Sequence, residues 1–253
     1  MMSGSMSESV STAELAGWAR AAGVPAALLD PAALTRILAH WARVEEAGRT
    51  MNLTALKGRA GFVRLVVDSA TAARVYDGRG PAVDIGTGAG YPGLVLAALY
   101  PASRWVLVDS VGKKARFVAE AATALGLDQV AVHPVRAEAL AATCGGRFQF
   151  AVARAAGTLP VVAELALPLL AVGGTALLMR GPAAAEELPA AGGLLARLGA
   201  VVDRVETLDL PGEEGRRSLV VIKKTAPSGT EFPRHGARLG TAIPGSEDAT
   251  ALE

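Results

Sequence analysis

The sequence predicts an α/β protein built on a doubly wound, seven-stranded sheet. From Pro81 onward, apolar runs of strand length alternate with helical patterns, which is typical of a sheet with crossover helices on its faces. A glycine-rich turn follows the first of these runs. The last two runs, residues 201–208 and 218–223, lie close together in the chain and resemble an antiparallel hairpin.

Three helical patterns precede the sheet. Residues 11–14 read Ser-Thr-Ala-Glu and resemble a capping box at the start of a short helix. A second helix is predicted from Asp30-Pro31 to Gly48, and a third over residues 61–76. We therefore expect a disordered N-terminus over residues 1–11 and a helical N-terminal subdomain over residues 12–78.

The sheet domain is expected over residues 79–225. The alternating pattern places strands near 82–86, 104–109, 129–134, 148–153 and 175–179, and helices near 91–99, 111–126, 136–143, 159–170 and 183–198. From Ala226 to Glu253, the frequent Pro, Gly and Ser residues predict an extended C-terminal tail.

Composition excludes several classes of protein. The most apolar stretch, residues 165–179, is broken by Pro168 and by a Gly-Gly pair, so no transmembrane helix is expected. The N-terminus lacks the basic and apolar regions of a secretory signal, and we expect a cytoplasmic protein. A single cysteine, Cys144, excludes an internal disulfide framework, and scattered histidines give no metal site. With a net charge of +1, any contact with RNA must come from local basic clusters.

The most informative motif is the turn after the first strand. Gly86, Gly88 and Gly90 alternate as G-x-G-x-G and are followed by Tyr91. Glycine permits positive φ and lets a ligand approach the backbone closely, so the turn predicts a nucleotide-type pocket. Residues 88–93 also match G-x-G-x-x-G, so this string alone does not separate NAD from S-adenosylmethionine, and a simple tight turn also remains open.

An acid at the end of the second strand supports a ligand pocket. Asp109 lies 23 residues after Gly86, near the spacing at which a carboxylate meets a ribose hydroxyl. The alternative role for Asp109 is capping the helix that follows it.

Two observations favour S-adenosylmethionine over NAD. A dehydrogenase of this length usually needs a Tyr-x-x-x-Lys pair, but the residues four places after the three tyrosines are Gly80, Val95 and Arg104. The final strand pair instead resembles that of a Rossmann-like class I methyltransferase. Because no thiolate motif, amino-methylation motif or carboxylate cluster is visible, the chain fits methylation of a ring nitrogen such as guanine N7, which needs no proton removed.

The chain resembles the RsmG (GidB) family, which forms 7-methylguanosine in bacterial 16S ribosomal RNA. The resemblance rests on these elements in their order: Trp41, Asn52-Leu53-Thr54, Arg64 through Asp68-Ser69, residues 84–93, residues 109–117, Arg136-Ala137-Glu138 and Ala153-Arg154-Ala155. It implies direct attack of guanine N7 on the methyl group of S-adenosyl-L-methionine, with 16S rRNA or the small subunit as partner. Neither a membrane nor an obligate protein partner is expected.

The resemblance also implies roles for individual residues. Cofactor contacts are expected from the glycine turn, the second and third strand ends and the fourth strand, namely from Gly86, Gly88, Gly90, Tyr91, Asp109, Ala137, Glu138 and Arg154. Arg154 is also the expected positioning residue for catalysis, with Asn52 as a second candidate. Independently of the resemblance, RNA contacts are expected from Lys113, Lys114 and Arg116, since cations at a helix start oppose the helix dipole and phosphate binding would explain their placement. Arg234, in the C-terminal tail, is a further candidate for RNA contact.

Each role has a structural alternative. Glu138 could sit in a solvated first helical turn, Asn52 could hold its own loop, and the basic run could be a solvated surface. The chain departs from the family pattern at Leu65, where histidine is usual, and at Ala153, where serine is usual, and its tail lacks a dense basic ending. These departures indicate weaker or altered RNA engagement. A cofactor-binding rRNA assembly factor without turnover is a separate alternative function, and an NAD-dependent oxidoreductase is a further one.

Overall fold

A seven-stranded mixed sheet forms the centre of the computed structural model, which describes residues 10–154, 156–213 and 215–241. The strands are β1 (Ala82–Ile85), β2 (Trp105–Val108), β3 (Val130–His133), β4 (Phe148–Arg154), β5 (Leu170–Arg180), β6 (Ala200–Asp209) and β7 (Arg216–Lys224). Their order is β3-β2-β1-β4-β5-β7-β6, and every neighbouring pair is parallel except the two formed by β7. The predicted doubly wound sheet with a final antiparallel hairpin is confirmed.

In the described residues, five α-helices connect the strands, and the largest differences from the predicted limits are the end of α8 and the start of β5. The helices are α5 (Gly93–Leu99), α6 (Gly112–Ala124), α7 (Ala137–Cys144), α8 (Leu159–Ala166) and α9 (Ala184–Arg197). α8 ends four residues before the predicted end at 170, because Pro168 lies in a 3₁₀ turn and cannot continue an α-helix. β5 then begins at Leu170 rather than near 175, and an irregularity in its pairing with β4 absorbs the following glycines.

The N-terminal helices are α1 (Thr12–Ala21), α2 (Pro31–Ala47), α3 (Gly58–Phe62) and α4 (Asp68–Ala70). The predicted capping box begins α1: the Ser11 hydroxyl accepts the Glu14 amide at 3.2 Å, and the Glu14 carboxylate accepts the Ser11 amide at 3.0 Å. The third predicted helix is interrupted by a π-helical turn over Val63–Val67. π-Helical turns are rare in proteins, and those that occur often lie at functional sites.

Hydrophobic packing joins these helices to one face of the sheet. Buried residues of α1 to α4, including Trp41 and Phe62, share one apolar cluster with Trp105 and Phe150 of the sheet. A second cluster lies on the opposite face against α7, α8 and α9. The division at residue 78 stays a prediction, since the core is continuous across it. Within the described ranges, no helix is long and apolar enough to cross a bilayer.

Candidate cofactor and substrate site

A cavity of about 320 Å³ lies at the carboxyl ends of β1, β2 and β3. Its lining includes Gly86, Asp109, Ala137 and Glu138, which were predicted from three separate stretches of sequence. These residues meet because Ile85, Val108 and His133 are in register at the ends of parallel strands. The cavity is beside β4, where the strand order reverses, and ligands of open α/β sheets bind at this type of crevice.

The glycine turn after β1 has the predicted positive φ angles. They are 70° at Gly86, 59° at Gly88 and 95° at Gly90. A Cβ on Gly86 would lie 3.2 Å from the Cβ of Ala156, whereas one on Gly90 would lie 2.7 Å from Cδ1 of Leu94 and 3.0 Å from Nε2 of His40. Gly86 therefore keeps the cavity open, and Gly90 allows the turn to pack against α2.

Asp84, inside β1, fixes the end of this turn by a hydrogen bond. Its carboxylate is buried, and its Oδ2 accepts the amide of Gly93 at 2.9 Å. Burial raises the pKa of Asp84 to about 6, and the hydrogen bond from the Gly93 amide and the nearby Arg154 charge act against this increase. Sequence reasoning assigned no role to Asp84, although an acid within an apolar strand was a visible signal.

Asp109 braces the same turn from β2. Its Oδ2 accepts the amide of Gly88 at 2.9 Å, and its Oδ1 accepts the amide of Val111 at 2.8 Å. The second bond holds the N-cap residue Val111 just before α6, but Asp109 is not itself the cap, and α6 has no side-chain cap. Each oxygen retains a free lone pair, and Asp109 also lines the cavity.

The start of α7 forms another part of the cavity wall. Arg136 is the N-cap residue of α7 and provides no side-chain cap. The first amides of a helix have no partner within it, so those of Ala137 and Glu138 are available as donors. The half-buried Glu138 carboxylate adds an acceptor beside them.

Arg154 ends β4 in a second polar group that adjoins the glycine turn. Its Nη1 donates to the carbonyl of Arg64 at 3.1 Å and lies 3.8 Å from Oδ2 of Asp68. Its guanidinium carbon is 5.9 Å from the centre of the Tyr91 ring. Burial lowers the pKa of Arg154, and the carboxylates of Asp68 and Asp84 act against that decrease.

Asp68 and Arg217 complete this polar group, and sequence reasoning gave neither of them a site role. The Nε of Arg217 donates to Oδ2 of Asp68 at 3.4 Å. Burial raises the pKa of Asp68, while Arg154 and Arg217 act to lower it. Arg217 comes from β7, 149 residues further along the chain than Asp68, and no local pattern could have joined them.

Buried polar atoms without partners concentrate around Arg154. Within the described residues, eight buried side-chain atoms lack a hydrogen bond, and seven of them belong to His40, Asp68, Asp84, Thr87, Tyr91 and Arg154. The rings of His40 and Tyr91 are 4.8 Å apart, and burial lowers the pKa of His40 to about 4. Native proteins leave few such groups unpaired, so this concentration marks a candidate functional site.

Other predicted residues lie outside these two groups. Asn52 is exposed in the loop between α2 and α3, and its side chain bonds to no described residue. Lys113, Lys114 and Arg116 occupy the first two turns of α6 with no ion pair to any described residue. Arg234 forms an ion pair with Glu164 at 2.7 Å, and its predicted RNA contact stays a prediction.

The two departures from the family pattern are both buried. Leu65 lies within the π-helical turn and is 3% exposed, and Ala153 in β4 is 2% exposed. Both pack in the apolar clusters, so each change places a nonpolar side chain in a nonpolar environment. Across the described ranges, no group of three or more His, Cys, Asp or Glu side chains is arranged to hold a metal ion.

Comparison with known proteins gives consistent matches. The family model described as rRNA small subunit methyltransferase G (GidB) matches residues 34–219. Ribosomal RNA small subunit methyltransferase G of Geobacillus kaustophilus is 38% identical over 212 residues, which cover 82% of this chain and 89% of that protein. The Deinococcus radiodurans protein of the same name is 42% identical over 189 residues, or 73% of this chain and 75% of its own.

Solved structures of methyltransferases share the fold. The O-methyltransferase TomG from Streptomyces achromogenes, in complex with SAM, has a TM-score of 0.52 at 20% identity and covers 74% of this chain and 90% of its own. M. jannaschii TYW2 in complex with AdoMet has a TM-score of 0.53 at 11% identity and covers 67% and 77%. The predicted Rossmann-like class I methyltransferase fold is therefore confirmed.

Proposed function

Because the chain belongs to the rRNA small subunit methyltransferase G family, we propose that it methylates guanine N7 in the 16S rRNA of the small ribosomal subunit. The chain is an S-adenosylmethionine-dependent methyltransferase. The observation that carries the proposal is the junction of two groups at one crevice: a cavity suited to the cofactor and a buried polar group around Arg154.

The cavity residues fit S-adenosylmethionine, which supplies an activated methyl group when bound. Gly86 leaves room for the ligand against the backbone, and Asp109 has free lone pairs for the ribose hydroxyls. The amide of Ala137 and the carboxylate of Glu138 match the donors and acceptors on the edge of adenine. Gly88, Gly90 and Tyr91 shape the turn that separates this cavity from Arg154.

We assign Arg154 to positioning and to electrostatics, and no residue to base catalysis. Guanine N7 carries a lone pair and no proton, so the chain needs only to align the acceptor and exclude water. Arg154 is held by the Arg64 carbonyl and faces Asp68, which fixes a guanidinium next to the turn. Asn52 remains a second candidate on the substrate side.

RNA contact is proposed for the start of α6. Lys113 and Arg116 are exposed, and Lys114 is partly so. Cations at a helix N-terminus oppose the dipole, and a phosphate bound there would offset this repulsion. Since no described acid pairs with these side chains, their charge is available to the substrate. We also propose that the protein acts in the cytoplasm and without an obligate protein partner.

Mapping of modified guanines in cells tests the function. Small-subunit rRNA from cells with and without this gene is digested and analysed by mass spectrometry for 7-methylguanosine. We expect one modified guanine to lose its methyl group when the gene is deleted and to regain it with the wild-type gene but not with Arg154→Ala. An unchanged methylation map in the deletion would contradict the proposal and favour an assembly factor without turnover.

A further inference from the structure

The C-terminal segment Phe232–Thr241, called here the return segment, comes back to the cofactor cavity. Its Leu239 lines this cavity together with Val161 and Leu165 of α8. The cavity therefore has a polar side, formed by Asp109 and the start of α7, and an apolar side to which the return segment contributes.

A buried carboxylate fixes the return segment on α8. Glu164 is fully buried and accepts three bonds from Arg234: from its backbone amide at 2.8 Å, from Nε at 2.8 Å and from Nη2 at 2.7 Å. It accepts a fourth from the amide of Gly240 at 2.8 Å. Burial acts to raise the pKa of Glu164, but these bonds hold it below its ordinary value. Such a fully satisfied, charge-assisted network defines one geometry.

Backbone packing fixes the segment next to Leu239 as well. Gly240 has φ of 69°, and a Cβ on it would fall 2.8 Å from the backbone nitrogen of Val161. Only glycine allows this close approach of the two chains. Leu239 is thus held between the Arg234 anchor and the Gly240 contact, and the fold has fixed its position over the cavity.

We propose that Leu239 is a cofactor-binding residue that forms an apolar wall for the adenine ring, and that Glu164 and Arg234 position it. This rests on the proposed placement of adenine at the start of α7. Adenine has polar edges and apolar faces, and the cavity offers amides and a carboxylate on one side and Val161, Leu165 and Leu239 on another. The return segment therefore sets the affinity for the cofactor.

Binding measurements with two ligands test the role of Leu239. Calorimetry of the full chain with S-adenosylmethionine and with 5′-methylthioadenosine, which has the adenosine but no amino acid portion, compares wild type with Leu239→Ala. We expect the affinity for both ligands to fall about tenfold, because the lost methyl groups cover apolar ligand surface. The exposed Arg238→Ala is the matched control and should bind both ligands as wild type does.

Two outcomes overturn the inference. Wild-type affinity in a folded Leu239→Ala variant would remove Leu239 from the cavity wall. A loss for S-adenosylmethionine without one for 5′-methylthioadenosine would place Leu239 against the amino acid portion. Asp109→Ala separates this failure from a failure of the proposed site: if it weakens binding while Leu239→Ala does not, the site stands and only the wall is wrong.

Kinetics test the positioning role of Glu164 and Arg234. In Glu164→Gln and Arg234→Ala, we expect KM for S-adenosylmethionine to rise about tenfold with little change in kcat, because the wall moves while Arg154 stays in place. Arg234→Lys should recover part of the affinity. A fall in kcat with unchanged KM, in variants with wild-type circular dichroism, would contradict this role.

Discussion

Asp84 is a buried acid whose ionisation opposes folding. Its pKa is about 6 in the folded protein against an ordinary value of 3.8. Between these values the folded state holds a proton that the unfolded state has released, so stability falls as pH rises through this window. The difference in pKa corresponds to about 3 kcal/mol.

Asp84→Asn should therefore remove most of the decrease in stability between about pH 4 and pH 6. We expect the free energy of unfolding of the wild type to fall in this range relative to that of the variant. Above about pH 6 the two curves should run parallel. Urea denaturation across pH measures this difference. Asp77→Asn, an exposed acid in a surface ion pair, is the control and should leave the pH dependence unchanged. Parallel curves for wild type and Asp84→Asn would show that Asp84 titrates normally.

At the residue scale, Arg154 is the residue that we propose positions the reactants. Arg154→Ala removes the guanidinium that faces Asp68 and Tyr91, and we expect a fall of about a hundredfold in kcat, the size of effect that misalignment produces. Arg204→Ala, in an exposed cluster of ion pairs on β6, is the control. Steady-state methylation of small-subunit RNA measures both variants, and equal rates for Arg154→Ala and wild type would exclude the assignment.

Sequence reasoning found residues at this scale only where a local pattern existed. Gly86, Asp109 and Glu138 follow strands whose ends meet at one edge, so their convergence was predictable. The partners of Arg154 were not predictable, because Asp68 lies next to a π-helical turn and Arg217 on the antiparallel strand β7. The pairing of Arg234 with Glu164 likewise joins residues 70 positions apart.

At the scale of elements, different glycines of the turn serve ligand binding and stability. Gly86→Ala adds a methyl group at positive φ next to Ala156, and we expect cofactor binding to be lost while the domain stays folded. Gly93→Ala would instead place its Cβ 2.7 Å from Oδ2 of Asp84 and should lower thermal stability. Gly112→Ala, with no atom within 4 Å of its Cβ, is the control. Calorimetry and thermal unfolding together measure these effects, and unchanged affinity in Gly86→Ala would reduce the turn to a structural element.

The start of α6 is the element expected to contact RNA. Replacing Lys113, Lys114 and Arg116 by alanine should weaken RNA binding. It should also make the negative slope of log affinity against log salt shallower by about 2, since each phosphate contact contributes roughly 0.7 to 0.9 to its magnitude. The double variant Arg204→Ala, Arg216→Ala removes exposed, ion-paired charges on β6 and β7 and is the control. Filter binding across salt concentrations measures both slopes. Equal slopes for the triple variant and wild type would place the RNA elsewhere.

Element boundaries show which patterns carry information. Strands and helices from β1 to α7 begin and end within two residues of their predicted limits, because period and turn residues agree there. The third N-terminal helix was predicted as continuous, since an apolar pattern does not distinguish a π-helical turn from an α-helix.

At the scale of the whole molecule, one sheet serves two purposes. Its carboxyl edge forms the cofactor cavity between β1 and β3, and β4 and β7 bring Arg154 and Arg217 to Asp68 beside it. The N-terminal helices complete that second group through His40, Arg64 and Asp68. The continuous core between these helices and the sheet fixes the position of the second group relative to the cavity. The sequence predicted the sheet, but not that the return segment would close its cavity.

Single-turnover methylation across pH is the most direct test of methyl transfer to guanine N7 without a general base. The purified protein, loaded with S-adenosylmethionine, is mixed with small-subunit RNA lacking the modification, and the product is mapped and its rate measured between pH 6 and 9. We expect 7-methylguanosine at one position and a rate that stays flat above neutrality, because no base removes a proton from N7. A steep log-linear rise assignable to one side chain, or a methyl group on another atom, would contradict it.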